Sequence, residues 1–171
     1  MDSGCIEGHM LERSRKSIIH DKHGRPYSVV ASELDSKDFK RFNIEHRGHR
    51  VGYVNYHIEG DDVLYVDDFH IYDKAMRPPW FFIDLFIWNL GSFPPERFRV
   101  SNYQKRGLGT AMIKFLASYA KSESVKRIEG EVKPHDLKDN PDLPDWYRRR
   151  GFNVLMGGEK TPWVARISLT V

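Results

Sequence analysis

The chain has 171 residues, 40% of them hydrophobic and 13% aromatic, enough apolar material for one buried core but hardly for two. Its formal net charge of +3 is mild and the acidic residues are spread among the basic ones, so the balance calls for no nucleic-acid partner. Cys5 is the only cysteine, which excludes an internal disulfide and suits a reducing, cytoplasmic setting. No secretory signal is visible, and the most apolar run, Trp80 to Leu90, contains Asp84 and falls far short of the ~20 residues that span a bilayer.

Residues Met1 to Met10 stand apart. Ser3-Gly-Cys-Ile-Glu-Gly-His-Met10 resembles an expression-vector linker, which would make Met10 the natural start and Cys5 foreign, and a single domain is expected over 11–171. Tyr27 to Leu34 and Phe39 to Glu45 read as strands, followed by a turn at Arg47-Gly48-His49. From Val51 to Ile58 the apolar Val54, Tyr56 and Ile58 alternate with Tyr53, Asn55 and His57, as a half-buried strand requires. Glu59-Gly60-Asp61-Asp62 is a hairpin turn, Val63 to Tyr72 runs on as another β segment, and Trp80 to Trp88 follows as one more beyond Pro78 and Pro79. Gly91 to Glu96 breaks the chain, and Lys126 to Pro134 is strand-like.

The most informative stretch is Ser101 to Ala120, where a glycine-punctuated turn runs directly into an amphipathic helix. Gly107 and Gly109 lack a Cβ, so backbone N–H groups there can turn toward a ligand and approach it closely. The helix that follows leaves its first N–H groups unpaired and carries a partial positive charge at that end, which suits a pyrophosphate. Leu108, Met112, Phe115, Leu116 and Tyr119 recur at helical spacing as a buried stripe. Downstream, Asn140 to Phe152 reads as a short second helix capped by Asp142, with Pro144 in its first turn, Arg148 to Arg150 at its C-terminal end and Gly151 closing it.

Gln104-Lys-Arg-Gly107-Leu-Gly109 resembles the [R/Q]-x-x-G-x-[G/A] signature of the GCN5-related N-acetyltransferases, and Tyr147-Arg-Arg-Arg-Gly151-Phe152 resembles their later Y-x-x-x-G-F motif. The resemblance covers Tyr103 to about Phe152 well and the N-terminal half only in outline. It implies a mixed α/β fold, a twisted and largely antiparallel sheet with two main helices. It also implies acetyl-CoA as cosubstrate, held by Gln104, Lys105, Arg106, Gly107, Leu108, Gly109 and Thr110, with Asn140, seven residues before Tyr147, on the pantetheine arm. Lys105 and Arg106 flank the loop and would add charge to its backbone donors. Two departures stand out. Family members usually place two helices after the first strand, and between Leu34 and Val51 there is little room for them. About 30 residues also separate Tyr72 from Gln104, where members pass from central strand to loop in a few. Either Val63 to Tyr72 is that central strand, or Trp80 to Trp88 is; the second is preferred because Phe82 to Ile87 looks like a fully buried strand.

The implied reaction moves an acetyl group from a thioester to a primary amine. The amine must lose a proton, the carbonyl oxygen gains negative charge, and the departing thiolate wants a proton. By the resemblance Tyr147 is the general acid, its ordinary pKa of roughly 10 suiting that task; the alternative is a packing aromatic beside Trp146. For the base, Asp84 inside its apolar run either serves the chemistry or has a hidden partner. Asp67, Asp68 and His70 compete with it. Alternation puts Asp68 and His70 on one face and Asp67 on the other, so only one pair is expected to line a shared cleft. Deprotonation through water without a dedicated base is the remaining alternative.

His46-x-x-His49 lacks a second pair of ligands and reads as an exposed hairpin tip, so no metal is expected. Arg148 to Arg150 read as ordinary dipole and solubility features. Acetyl transfer to a small-molecule or peptide amine is thus the expected function, with a non-catalytic acyl-CoA-binding module as the alternative. A third reading, a transferase acting on aminoacyl-tRNA, would need a broad basic surface that the composition lacks. No membrane partner is expected, and the C-terminal stretch Trp163 to Val171 is a candidate edge for pairing into a homodimer.

Overall fold

Short alternating runs build most of the molecule, and one helix covers the face they bury. The computed structural model describes residues 16–34, 39–60, 62–73, 75–76, 100–158 and 161–171. The strands are β1 (Ser17–His20), β2 (Pro26–Glu33), β3 (Lys40–His46), β4 (His49–Glu59), β5 (Val63–Ile71), β6 (Ala75–Met76), β7 (Val100–Ser101), β8 (Arg127–Val132), β9 (Asn153–Met156) and β10 (Ala165–Thr170). The helices are α1 (Leu108–Ser122), α2 (Asp136–Asp139) and α3 (Leu143–Arg148). Eight strands form one sheet in the order β1-β2-β3-β4-β5-β8-β10-β9, and β6 pairs with β7 apart from it.

The alternation in β4 buries Val54 and Tyr56 on the face that meets α1, while Tyr53, Asn55 and His57 turn to the other. Helix α1 lays Leu108, Met112, Ile113, Leu116 and Ala120 onto that face. Each of its large side chains contributes about 1.5–3 kcal/mol by leaving water. Phe42 stacks on Tyr56 with ring centroids 4.8 Å apart and meets Phe115 and Tyr119 edge-on at 5.0 and 4.9 Å, which fixes the helix against β3 and β4. The helix stops where Ser124 takes a left-handed φ of 62° and the Val125 N–H returns to the Ala120 carbonyl at 2.8 Å.

Two irregularities shape the centre of the sheet. Strands β5 and β8 run parallel, paired from Val63↔Arg127 to Val66↔Gly130, and then part; β5 continues to Ile71 and β8 to Val132. On its other side β5 pairs with β4 as Tyr56↔Val66 and then Asn55↔Asp68, so Asp67 is an extra residue, a β-bulge. Direct cross-strand partners share a face, which puts Asp68 and His70 with Asn55 and Tyr53. The bulge brings Asp67 to the same face, where its carboxylate meets His57 Nδ1 at 2.9 Å.

Several expectations are corrected. The strand beside β8 is Val63–Ile71, not Trp80 to Trp88, which lies outside the described residues together with Gly91 to Glu96. Asp67 does not face away from Asp68, because the bulge breaks strict alternation. Between Leu34 and Val51, where little room for two helices was expected, the described residues form β3 and the start of β4. Strand β10 is interior, paired with β8 and β9, so Trp163 to Val171 is not an edge; β9 is, with Leu155 and Met156 exposed on it. Strand β1 and helix α2 have no counterpart in the sequence reading.

Candidate active site

The glycine turn is stitched to the end of β5 before the helix begins. Tyr103 N–H donates to the Tyr72 carbonyl at 3.2 Å, and Gln104 donates its backbone N–H to Asn102 Oδ1 at 2.7 Å and its side-chain amide to the Ile71 carbonyl at 3.3 Å. Lys105 and Gly107 then take positive φ, 56° and 86°, and turn the chain into α1. The first helical bond is Ala111 N–H to the Gly107 carbonyl at 3.0 Å, so the amides of Leu108, Gly109 and Thr110 have no acceptor within the helix. They open, with the positive end of the helix dipole, onto a cleft of about 1300 Å³. Side chains would fill that cradle: a Cβ on Gly109 would lie 3.0 Å from the Trp146 ring, and one on Gly107 would lie 3.2 Å from Lys22 Cβ.

Helix α3 borders the cleft beside the start of α1. Pro144 sits in its first turn behind Asp142, and Gly151 at φ 84° ends the turn that follows it. Arg150 is not the solubility feature its run suggests. Its guanidinium lies 3.8 Å from the centre of the Trp146 ring, donates from Nε to Thr110 Oγ1 at 2.9 Å and from Nη1 to the Trp146 carbonyl at 2.7 Å, and so ties α3 to the first turn of α1. Tyr147, 7% exposed, packs edge-on against Trp146 and Phe152 and lines the cleft. Burial, reinforced by the nearby Asp136, pushes its phenol well above the ordinary range, so it keeps its proton.

Where β5 and β8 part, Asp67, Asp68 and His70 border the same cleft as Gly107 and Tyr147. Asp68 accepts from the Tyr53 hydroxyl at 2.7 Å, and Tyr53 stacks with His70. Beyond Val66↔Gly130 the backbone groups of β5 that face β8 have no ladder partner there, which leaves main-chain donors beside the gap.

A glycine loop with free helix-start amides, a gap between two parallel strands and a buried tyrosine thus converge on one cleft. Residues 10–152 match the model of the acetyltransferase (GNAT) family. The chain belongs to that family. Its fold is the GNAT fold, as in the GNAT domain of Streptomyces lividans PAT, which is 13% identical and superposes with a TM-score of 0.59 over 91% of this chain and 97% of that one. An acetyltransferase from Thermus thermophilus is 15% identical, with a TM-score of 0.50 over 80% of this chain and 67% of that one. No curated protein matches the sequence. Acyl transfer is accordingly the reaction class of the family to which the chain belongs.

Of the GNAT residues expected at the cofactor, Gln104, Lys105, Gly107, Leu108, Gly109, Thr110 and Asn140 border the cleft, Leu108 with its side chain buried beneath it. Arg106 does not: its Nε donates to the Asn102 carbonyl at 2.8 Å and its guanidinium covers the Tyr103 ring at 4.9 Å, so it braces the loop from behind. Asp84 lies outside the described residues. His46, read as an exposed tip, instead stands against Tyr27 at 5.0 Å and shares a 3.2 Å hydrogen bond with the Tyr103 hydroxyl. Burial and the charges of Arg47, Arg106 and Arg25 hold its pKa below the usual value. Among the described residues no group of three or more His, Cys, Asp or Glu side chains is placed to hold a metal ion, and no helix is long and apolar enough to cross a membrane.

Proposed function

We propose that the protein transfers the acetyl group of acetyl-CoA to a primary amine by direct attack within a ternary complex. The observation that carries this reading is the junction of two features in one cleft: the amide-rich start of α1, and the gap between β5 and β8 with Asp67 and Asp68 on its rim. Acetyl-CoA supplies an activated thioester carbonyl. The amides of Leu108, Gly109 and Thr110 suit its pyrophosphate, and Asn140 borders the path its pantetheine arm would take toward the gap. Unladdered N–H groups of β5 are placed to polarise the carbonyl oxygen as charge develops there.

An amine attacks only as the free base, and its proton needs a receiver. Asp67 and Asp68 reach the cleft from one face, and Asp67 is backed by His57, whose imidazole can take the proton onward. Tyr147 serves the leaving group differently from a simple acid. With its pKa raised well above 10, full transfer to a thiolate of pKa about 8.5 is uphill, so its role is to donate a hydrogen bond that stabilises the departing sulfur. Calorimetric titration with acetyl-CoA, followed by a thiol-release assay over a panel of polyamines, amino acids and basic peptides, tests the whole. Saturable binding with amine-dependent thiol release is expected. No binding would sink the cofactor reading, and binding without release on any amine would leave a binding module.

A further inference from the structure

The mild net charge of +3 is unevenly divided over the molecule. Three loops gather at the end of the sheet where β5 stops: the turn between β1 and β2, the hairpin tip between β3 and β4, and the glycine loop. Lys22 N–H donates to the Arg106 carbonyl at 2.9 Å, Tyr27 at the start of β2 stands 5.0 Å from the His46 ring, and His46 is hydrogen-bonded to Tyr103. Asp21, 6% exposed, stiffens the first turn by accepting from the His23 and Arg25 amides at 2.8 and 3.0 Å and from the Tyr27 hydroxyl at 3.2 Å. The hairpin tip lies just past Ile71, which pairs with Gly52, and the Tyr72 N–H donates to the Val51 carbonyl there at 3.0 Å.

These loops carry Lys22, Arg25, Arg47, Arg50, Lys105 and Arg106 against the carboxylates of Asp21, Glu45 and Asp73, and Asp21 is already engaged by its own turn. Arg25, Arg47 and Arg106, one from each loop, all bear on the His46 imidazole and disfavour its protonation, so the three charges converge on one place. Among the described residues Lys22, Arg25, Arg50, Lys105 and Arg106 make no ion pair; the pairs that form, such as His57–Asp67, Arg127–Glu129 and Arg166–Glu131, lie elsewhere. Cations held together by rigid loops repel one another, and an anionic partner would relieve that repulsion. Lys22 and Lys105 border the large cleft, whereas the exposed Arg25, Arg47 and Arg50 lie beyond it. The patch therefore runs outward from the site. Its loops present no exposed Phe, Tyr or Trp, since Tyr27 and Tyr103 are each 1% exposed, so a nucleic-acid strand would find no ring of those kinds for its bases to stack on. Carboxylates need only the charge.

We propose that this end of the molecule docks an acidic segment of a peptide or protein whose amine is the acetyl acceptor. The proposal rests on the amine-acetylation reading and adds what carries the amine. Strand β5 supplies the ruler: from Val66, where the gap opens, to Ile71, beside the hairpin tip, an extended chain covers about 17 Å at about 3.3 Å per residue. A peptide with its N-terminal amine at the gap thus brings about its fifth to seventh residues to Arg47 and Arg50, with Arg25 on the adjoining turn.

The test uses two lysine-free peptides of about ten residues, with glutamates or glutamines at about the fifth to seventh positions, in thiol-release kinetics and fluorescence-anisotropy binding with the full chain. The glutamate peptide should show a kcat/KM about 5–10-fold higher, mostly through KM, and the advantage should shrink as salt rises from about 50 to 300 mM. Arg25→Gln combined with Arg50→Gln should erase that advantage and leave the glutamine peptide and the calorimetric affinity for acetyl-CoA unchanged. Arg25→Glu combined with Arg50→Glu should turn the preference toward a peptide with arginines at those positions. Equal kcat/KM for the glutamate and glutamine peptides would overturn the proposal, as would weaker acetyl-CoA binding in the glutamine variant, which would assign the patch to the cosubstrate. Displacement of the glutamine peptide by single-stranded RNA but not by the glutamate peptide would overturn it in favour of a nucleic-acid surface. Charge-dependent binding of the glutamate peptide without thiol release from any amine would uphold the docking surface and bring down the acetyl-transfer reading instead.

Discussion

Replacing Gly107 by alanine probes the contact that joins the β1–β2 turn to the glycine loop. The residue sits at φ 86°, where a β-carbon costs about 1–2 kcal/mol. The new Cβ would also lie 3.2 Å from Lys22 Cβ and 3.3 Å from the Lys22 backbone nitrogen, a crowding worth about 1–2 kcal/mol because backbone has to move. Against this, the stiffer unfolded chain returns less than about 1 kcal/mol. The net loss is about 1–3 kcal/mol, which in a chain of this size lowers Tm by about 3–10 °C. Gly24→Ala is the control: its φ is 76°, yet nothing lies within 4 Å of the added carbon, so only the backbone term of about 1 kcal/mol remains. Differential scanning calorimetry on both variants isolates the Lys22 contact as their difference. Titration with acetyl-CoA should show about tenfold weaker binding for Gly107→Ala and little change for Gly24→Ala. If the two variants melt within a degree of each other and bind alike, the two loops do not press together at Gly107 and the reasoning fails.

Tyr147→Phe should lower kcat about 10–100-fold with KM for acetyl-CoA nearly unchanged, because the lost hydrogen bond forms on the departing sulfur; an equal rise in KM would instead mark a packing role. Asp67→Asn should depress kcat more than Asp68→Asn, and the loss should shrink at high pH where free amine is abundant; a pH-independent loss would exclude proton acceptance. The depressed pKa of His46 means the folded state holds it neutral while the unfolded chain takes up a proton below about pH 6.5. Stability should therefore fall as pH drops from 6.5 toward the folded pKa, and the Tm gap between wild type and His46→Gln should narrow between pH 7.5 and 5.5. A gap that widens would put the sign of that shift in error.

The parts of this molecule legible in its sequence are those written locally. Gly107 and Gly109 ahead of a stripe at helical spacing, and Tyr147 to Phe152 downstream, need no distant partner to be read, and the structure puts both motifs on one cleft. Strand β4 was legible for the same reason, since its alternation is complete in itself. What failed depends on pairing. The bulge at Asp67 exists only because Asn55 and Tyr56 on β4 leave it without a partner, and nothing within Val63 to Ile71 announces it. The preference for Trp80 to Trp88 as central strand weighed apolar continuity too heavily; β5 carries Asp67, Asp68 and His70 because one of its faces borders the cleft. His46 looked like a tip residue, as its partner Tyr103 is 57 positions away, and Ser17-Ile-Ile-His20 is too short to stand out as a strand.

Chain length itself is the variable on which the acidic rim of the site turns. With Asp67 removed, Val66 opposite Tyr56 would be followed directly by Asp68 opposite Asn55, and every later residue of β5 would keep its present face. The deletion would mend the ladder instead of inverting it. A folded, regular sheet with one carboxylate at the gap instead of two would result, so a single codon's worth of slack in one strand sets how many carboxylates border the cleft.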